Sequence, residues 1–172
     1  MRVSRLLLLT AAAVLTLAAA AVATAGRAPV EDGTLSVRDG RGTVVLRMRG
    51  GGVIGRFASG KLTVTEFDGD TTTIVVRGEE RSRDLNDRTT VYSGNNIRYR
   101  IASERRIVVR VEASKINFSA VGRGEVVLDG RGDADNGIFF DGSYSLNGDA
   151  YKSLPDERTR IELEAAPAAE SG

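Results

Sequence analysis

The sequence contains no histidine, no cysteine and no tryptophan, and only three prolines. The missing imidazole and thiol exclude Ser-His triads, cysteine nucleophiles and zinc held by histidine or cysteine. Without cysteine there is no disulfide, so the fold must be held by its apolar core. Aromatic residues make up 5% of the chain, too few for the stacked walls of a typical sugar-cleaving cleft, although paired carboxylates are present. Beyond residue 25 no window shows a helical period, and none is apolar enough to cross a membrane. These absences argue against an enzyme and against a bound cofactor.

What is present starts with a leader. Arg2 and Arg5 form a basic start, Leu6 to Leu17 an apolar run and Ala23-Thr24-Ala25 a small-residue cleavage site, the pattern of a secretory signal peptide over residues 1–25. Cleavage would leave a chain beginning at Gly26, with no cysteine after it for a lipid anchor. Export to the periplasm, the cell surface or the medium is expected, with no membrane span left after cleavage. Of the 172 residues 147 then remain, and loss of the two leader arginines turns the net charge from +1 to −1. A chain of that size buries roughly 70% of the surface its unfolded form exposes, enough for one real core.

From Val30 onward polarity alternates with a period of two, the mark of strands with one face in a core and the other in water. The clearest stretch runs from Tyr92 to Leu128. In it Ile97, Tyr99 and Ile101, then Ile107, Val109 and Val111, then Ile116, Phe118 and Ala120 stand at every second position, with Asn96, Arg98, Arg100, Arg106, Arg110, Lys115, Asn117 and Ser119 between or beside them. Further strands are expected at 35–37, 44–48, 53–57, 62–67, 72–77, 126–128, 138–140, 144–146 and 159–164, the last with Ile161 and Leu163 inward. Gly50-Gly51-Gly52 and the Asp-Gly and Asn-Gly pairs punctuate them as turns. Residues 79–88 carry seven charges and no apolar period, and read as an exposed loop. Strand signals at a spacing of roughly 8–12 residues predict an all-β antiparallel sandwich or small barrel, as a single domain over 26–164 with a disordered tail over 165–172.

One internal echo offers an alternative. Residues 40–50 match 122–132 at eight of eleven positions, with Gly-Arg-Gly and Val-Val-Leu in both. Repeats are the signature of stacked architectures, so the echo reads alternatively as a duplicated half-domain or as a coil of a β-solenoid, the latter being the alternative fold. The flanks fall out of phase and no other fixed period appears, which favours a turn and strand used twice.

Several local motifs lack the context their chemistry needs. Residues 55–61 match a phosphate-binding loop up to Lys61, but Leu62 stands where a hydroxyl should hold magnesium, and the residues that follow alternate as a strand instead of opening a helix. Asp129, Asp133, Asp135 and Asp141 crowd a Gly-rich stretch, and Asp129, Asp133 and Asp135 are weak calcium candidates in a spacing that fits neither the helix-flanked calcium loop nor the calcium-binding β-roll repeat. Asn117-Phe118-Ser119 is a glycosylation acceptor where the host makes that modification. Phe139, Phe140, Tyr144 and Tyr151 gather four aromatics into thirteen residues, as a core plug or as a patch for ligand stacking.

Charge is unevenly placed. Residues 81–110 hold eight arginines against Asp84, Asp87 and Glu104, a net of +5, while 125–172 hold four basic and eleven acidic groups, a net of −7. Nineteen of the 22 cations beyond residue 25 are arginine, whose planar guanidinium suits bidentate recognition of carboxylate or phosphate. A G·C-rich genome would raise the number of arginines without deciding their places. If 96–101 and 106–112 form a hairpin with their apolar residues on one face, Arg100 opposes Arg106 or Arg98 opposes Arg110. Either register sets like charges together at a cost of roughly 0.2–1 kcal/mol, so something negative is expected over Arg98, Arg100, Arg106 and Arg110. Glu162 and Glu164 of the last strand could supply it, which would make the chain a structural or protein-interaction module. An envelope polyanion could supply it instead, as a teichoic-acid-like polymer or anionic lipid headgroups, which would make it a binding module. Another envelope protein is a further possible partner. Nucleic acid is not expected, because an exported chain rarely meets it and Tyr99, the aromatic between Arg98 and Arg100, alternates onto the core face instead of standing among the arginines as a stacking residue.

The run from Gly33 to Gly42, together with Asp141-Gly142-Ser143-Tyr144-Ser145-Leu146-Asn147-Gly148, resembles a group of exported bacterial all-β domain proteins. The resemblance extends over most of the chain beyond the leader. It implies export and a β fold, and carries no activity, cofactor or site. The expectation is thus an exported, non-enzymatic β-domain of the cell envelope or medium, structural or protein-interacting, with anion binding through the Arg-rich strand face as the alternative.

Overall fold

The computed structural model describes residues 32–67, 72–131 and 141–165. Eight strands follow one another: β1 (Gly33–Glu66), β2 (Thr72–Arg77), β3 (Arg81–Asn86), β4 (Thr89–Ser103), β5 (Ile107–Gly130), β6 (Ser143–Leu146), β7 (Lys152–Ser153) and β8 (Thr159–Leu163). They form one sheet with the main order β2-β4-β1-β5-β8, to which β3 adds on β4, and β6 with its partner β7 adds on β1. The fold is all-β and antiparallel, open at its edges, in keeping with a sandwich or an open barrel. Every ladder is antiparallel, whereas the coils of a β-solenoid stack in parallel, so that alternative is overturned.

Three strands are too long to stay straight: β1 has 34 residues, β4 has 15 and β5 has 24. Each bends where its ladder is interrupted. Asp39 on β1, Asn96 on β4 and Lys115 on β5 sit in the left-handed region at φ 49°, 55° and 52°. Asp and Asn tolerate that region better than most side chains, while a lysine there has no such ease. Between the β1–β4 partners Phe57–Ile97 and Ser59–Asn95, Ala58 and Asn96 are skipped, and the β1–β5 ladder jumps likewise from Arg56–Asn117 to Ser59–Ser114. Asp39, Ala58, Asn96 and Lys115 all line one pocket, so the bends fall on a common crease. Asn117 staples that crease: its Oδ1 accepts from the Asp39 amide, and its Nδ2 donates to the Asp39 carboxylate and the Lys115 carbonyl.

The crease divides the sheet into two layers. Residues 33–37, 51–57, 72–77, 97–103, 117–122 and 143–146 pair in the first; 42–48, 59–66, 81–86, 89–95, 107–113, 124–130 and 159–163 pair in the second. Inward side chains from both form one core, with Leu35, Phe57 and Ile97 from the first layer and Leu46, Leu62, Ile107 and Leu128 from the second. All nine inward residues expected between Tyr92 and Leu128 are buried, as is Leu163, and Ile161 packs against the core.

The echo has a structural cause. Residues 42–48 of β1 pair along 124–130 of β5, with Val45 opposite Val127, so the two copies lie side by side around a local twofold. Gly42 (φ 135°) and Gly124 (φ 149°) are equivalent positions in the echo. A methyl group on Gly42 would strike the Asp129 carbonyl, and one on Gly124 the equivalent carbonyl of Arg47.

Other expectations change. Residues 79–88 are not all loop: β3 lies within them and forms a hairpin with β4. Its six residues are all exposed, and a strand with neither face buried leaves no apolar period to read. Gly50-Gly51-Gly52 does not end a strand; β1 runs through it with a register shift between Met48 and Gly51. The leader, the turn at 68–70, the strand at 138–140 and the tail from 166 lie outside the described residues.

Candidate anion-binding groove

Alternation turns every second residue of the first layer away from the core. On three adjacent strands, Arg77 of β2, Arg98 of β4 and Arg56 of β1 are direct register partners, and Asn117 of β5 continues the row. Adjacent strands lie roughly 4.8 Å apart, so three guanidinium stems rise side by side across the sheet. Two residues further along, Val75, Arg100 and Ile54 form a second row, continued by Ser119 and Ser36. Both rows line a groove of about 820 Å³. Arg38 and Tyr151 also line it, the guanidinium 4.1 Å from the centre of the ring.

Among the described residues no acidic side chain lines this groove. The adjoining crease pocket, about 510 Å³, shares Arg56, Arg77 and Arg98 and adds Lys115. Its one carboxylate among the described residues, Asp39, accepts a hydrogen bond from Asn117. All four of Arg56, Arg77, Arg98 and Arg100 are exposed, and among the described residues none forms an ion pair. Each neighbouring like-charge pair costs roughly 0.2–1 kcal/mol, and a dense negative group held between them would remove that cost.

The sequence placed four arginines together, and the structure keeps two of them together. Arg98 and Arg100 stand on the groove. Arg110 lies in the second layer, ion-paired with Glu112, and Arg106 lies in the β4–β5 turn with its guanidinium 4.6 Å from the centre of the Phe67 ring. The expected 96–101/106–112 hairpin does not form, because β1 lies between β4 and β5. Nor do Glu162 and Glu164 cover Arg98 and Arg100. β8 pairs with residues 124–128 at the far edge of the sheet, where Glu162 faces Glu125, itself bridged to Arg47 and Arg160.

Arg56, Arg77, Arg38, Ile54 and Val75 were not singled out by sequence reasoning, whereas Tyr151 was, as one of the four clustered aromatics. Outward parity was readable for Arg56 and Ile54 within 53–57 and for Arg77 and Val75 within 72–77; which strands are neighbours was not. Of the aromatic cluster, Tyr144 packs against the core, Tyr151 is exposed beside the groove, and Phe139 and Phe140 lie outside the described residues. Asp133 and Asp135 lie outside them too. Asp129 is half-buried on β5, and among the described residues no three His, Cys, Asp or Glu side chains gather to hold a metal ion. Residues 55–61 lie within β1, without the helix that a phosphate loop opens. The Asn117 amide of the glycosylation triplet is occupied by the crease.

Beneath the groove Tyr99 is buried, and its hydroxyl has no hydrogen-bond partner among the described residues. Desolvation pushes the phenol pKa above its ordinary value. Gly55 leaves the room this ring needs: a side chain there would collide with the Tyr99 hydroxyl and Phe118. No known protein family, curated protein or solved structure matches the chain.

Proposed function

We propose that this chain is an exported, non-enzymatic β-domain of the cell envelope or medium that binds an anionic ligand in the groove of its first layer. One observation carries the reading: Arg77, Arg98 and Arg56 stand in one row on adjacent strands, with Arg100 beside them and, among the described residues, no acidic side chain lining the groove. A fold with no use for that row would gain by dispersing it, since like charges opposite one another are destabilising. Lack of histidine and cysteine is consistent with binding in place of catalysis. The ligand class is an anionic envelope polymer or an anionic lipid headgroup, which an exported chain meets.

Retention on an immobilised anionic polymer, eluted with a salt gradient, tests this. The variant with Arg56, Arg77, Arg98 and Arg100 all changed to Ser is expected to lose retention, whereas Arg106→Ser with Arg110→Ser keeps it. Equal retention of both variants would refute the groove as the site.

A second reading, assembly with another envelope protein or a second copy, has its support in β2. Ile74, Val75 and Val76 stand in a strand that pairs only with β4, leaving its other edge free among the described residues. Sedimentation of a monomer at all concentrations, with no partner retained, would remove this reading.

A further inference from the structure

We infer that the groove holds a lipid phosphate, with a compact doubly charged head at the crease and an aliphatic chain laid along the strands. The inference rests on the anion-binding reading above and deepens it from charge to chemical class.

The head follows from the spacing. Arg77, Arg98 and Arg56 share one rung across three adjacent strands, so their guanidinium groups can converge on a single phosphate monoester. A phosphoryl dianion offers three acceptor oxygens to their forked N–H donors, and it concentrates enough charge to offset three adjacent cations. Lys115 adds a cation from the crease side. A polymer with its charges spread along a backbone would not need such close packing.

The chain follows from what stands beside the arginines. Among the described residues five large apolar side chains are exposed: Ile54, Val75, Leu85, Val121 and Tyr151. Ile54, Val75 and Tyr151 line this groove, and Val121 belongs to the same outward face. Their order is graded. The crease end carries Arg77, Arg98 and Arg56 followed by Asn117; the next rung has Ile54 and Val75 on either side of Arg100; the one after it carries Thr73, Ala102, Gly52 and Val121. Polarity thus falls along the strands away from the crease, over small residues that leave a shallow track. Ile54 is 60% exposed and Val75 42%, so both have apolar surface left for a ligand to cover. The Arg100 stem between them is itself apolar up to its head. Head and chain are matched in that order by an aliphatic phosphate monoester.

Calorimetric titration of the purified chain with octyl phosphate below its micelle concentration, with inorganic phosphate and with polyphosphate separates the possibilities. Octyl phosphate is expected to bind at least about tenfold more tightly than inorganic phosphate, the gain coming from apolar area covered at Ile54 and Val75. Ile54→Ser with Val75→Ser should collapse that ratio towards one, with circular dichroism confirming the fold. Arg98→Ser should weaken every ligand. Octyl phosphate binding no more tightly than inorganic phosphate, or a ratio that survives the double variant, would overturn the lipid assignment. If polyphosphate still binds in that case, the anion reading stands without it. If no anion binds, both fall together.

Discussion

Tyr99 and Asn117 do opposite things with their polar atoms. Tyr99 buries a hydroxyl that no described residue meets, while the Asn117 amide makes three hydrogen bonds across the crease. Removing an unpaired buried hydroxyl costs little and can be favourable, so Tyr99→Phe is expected to leave stability at neutral pH unchanged or raise it by up to about 1 kcal/mol. The same burial raises the phenol pKa above its usual value of about 10. A raised folded-state pKa means that stability is complete below the unfolded value and is lost as pH rises through the folded one. Tyr92 acts in the same direction, chiefly through desolvation and then through Asp84, Glu66 and Glu79. Urea unfolding across the range above about pH 10 should therefore show stability falling, with a shallower fall in Tyr99→Phe. A marked loss in that variant at neutral pH would show that the hydroxyl is bonded after all. Asn117→Ala is expected to cost on the order of 1–2 kcal/mol, because it leaves two of the three left-handed corners at the crease, Asp39 and Lys115, without their tie. The Asn117 role was hidden in the sequence, where the triplet suggested only a sugar acceptor.

Among the elements, β1 and β5 show why alternation identifies inward residues but not partners. The period of two is a local property, and it marked Ile107 to Ala120 correctly on both sides of the bend at Lys115. Partner choice is settled by contacts far along the chain, and so β1, not β4, took the place beside β5. The echo held more information than a good turn used twice: its copies pair with each other, and their second glycines, Gly42 and Gly124, stand under equivalent constraints. Gly42→Ala and Gly124→Ala are each expected to lower stability by roughly 1–3 kcal/mol, since both need positive φ and both abut a backbone carbonyl. Their costs should be similar, because the local twofold makes the two sites equivalent. Thermal melts in which one substitution is tolerated and the other unfolds the chain would break the equivalence. β3 is the opposite case, a strand with no inward face, and its polar sequence could not announce it.

For the whole molecule, the fold class was legible because strands and turns are written locally, and the groove was only half legible because it is made by adjacency. Arg98 and Arg100 could be seen as outward-facing; Arg56 and Arg77 became their neighbours only when β1 and β2 closed on either side of β4. That closure also sets the balance between stability and binding. Arg98 is the middle of the row, with Arg56 on one side and Arg77 on the other, so replacing it relieves two repulsions of roughly 0.2–1 kcal/mol each. Arg98→Ser is therefore expected to melt higher than the parent at low ionic strength while eluting earlier from an anionic column. The difference in melting should shrink with added salt, as the screening length falls from about 30 Å at 0.01 M to about 3 Å at 1 M. Such a pairing of gained stability with lost binding is what a site held against the interest of the fold produces. A variant that melts lower than the parent in low salt would show instead that Arg98 stabilises the empty protein, and the row would then belong to folding and not to a ligand.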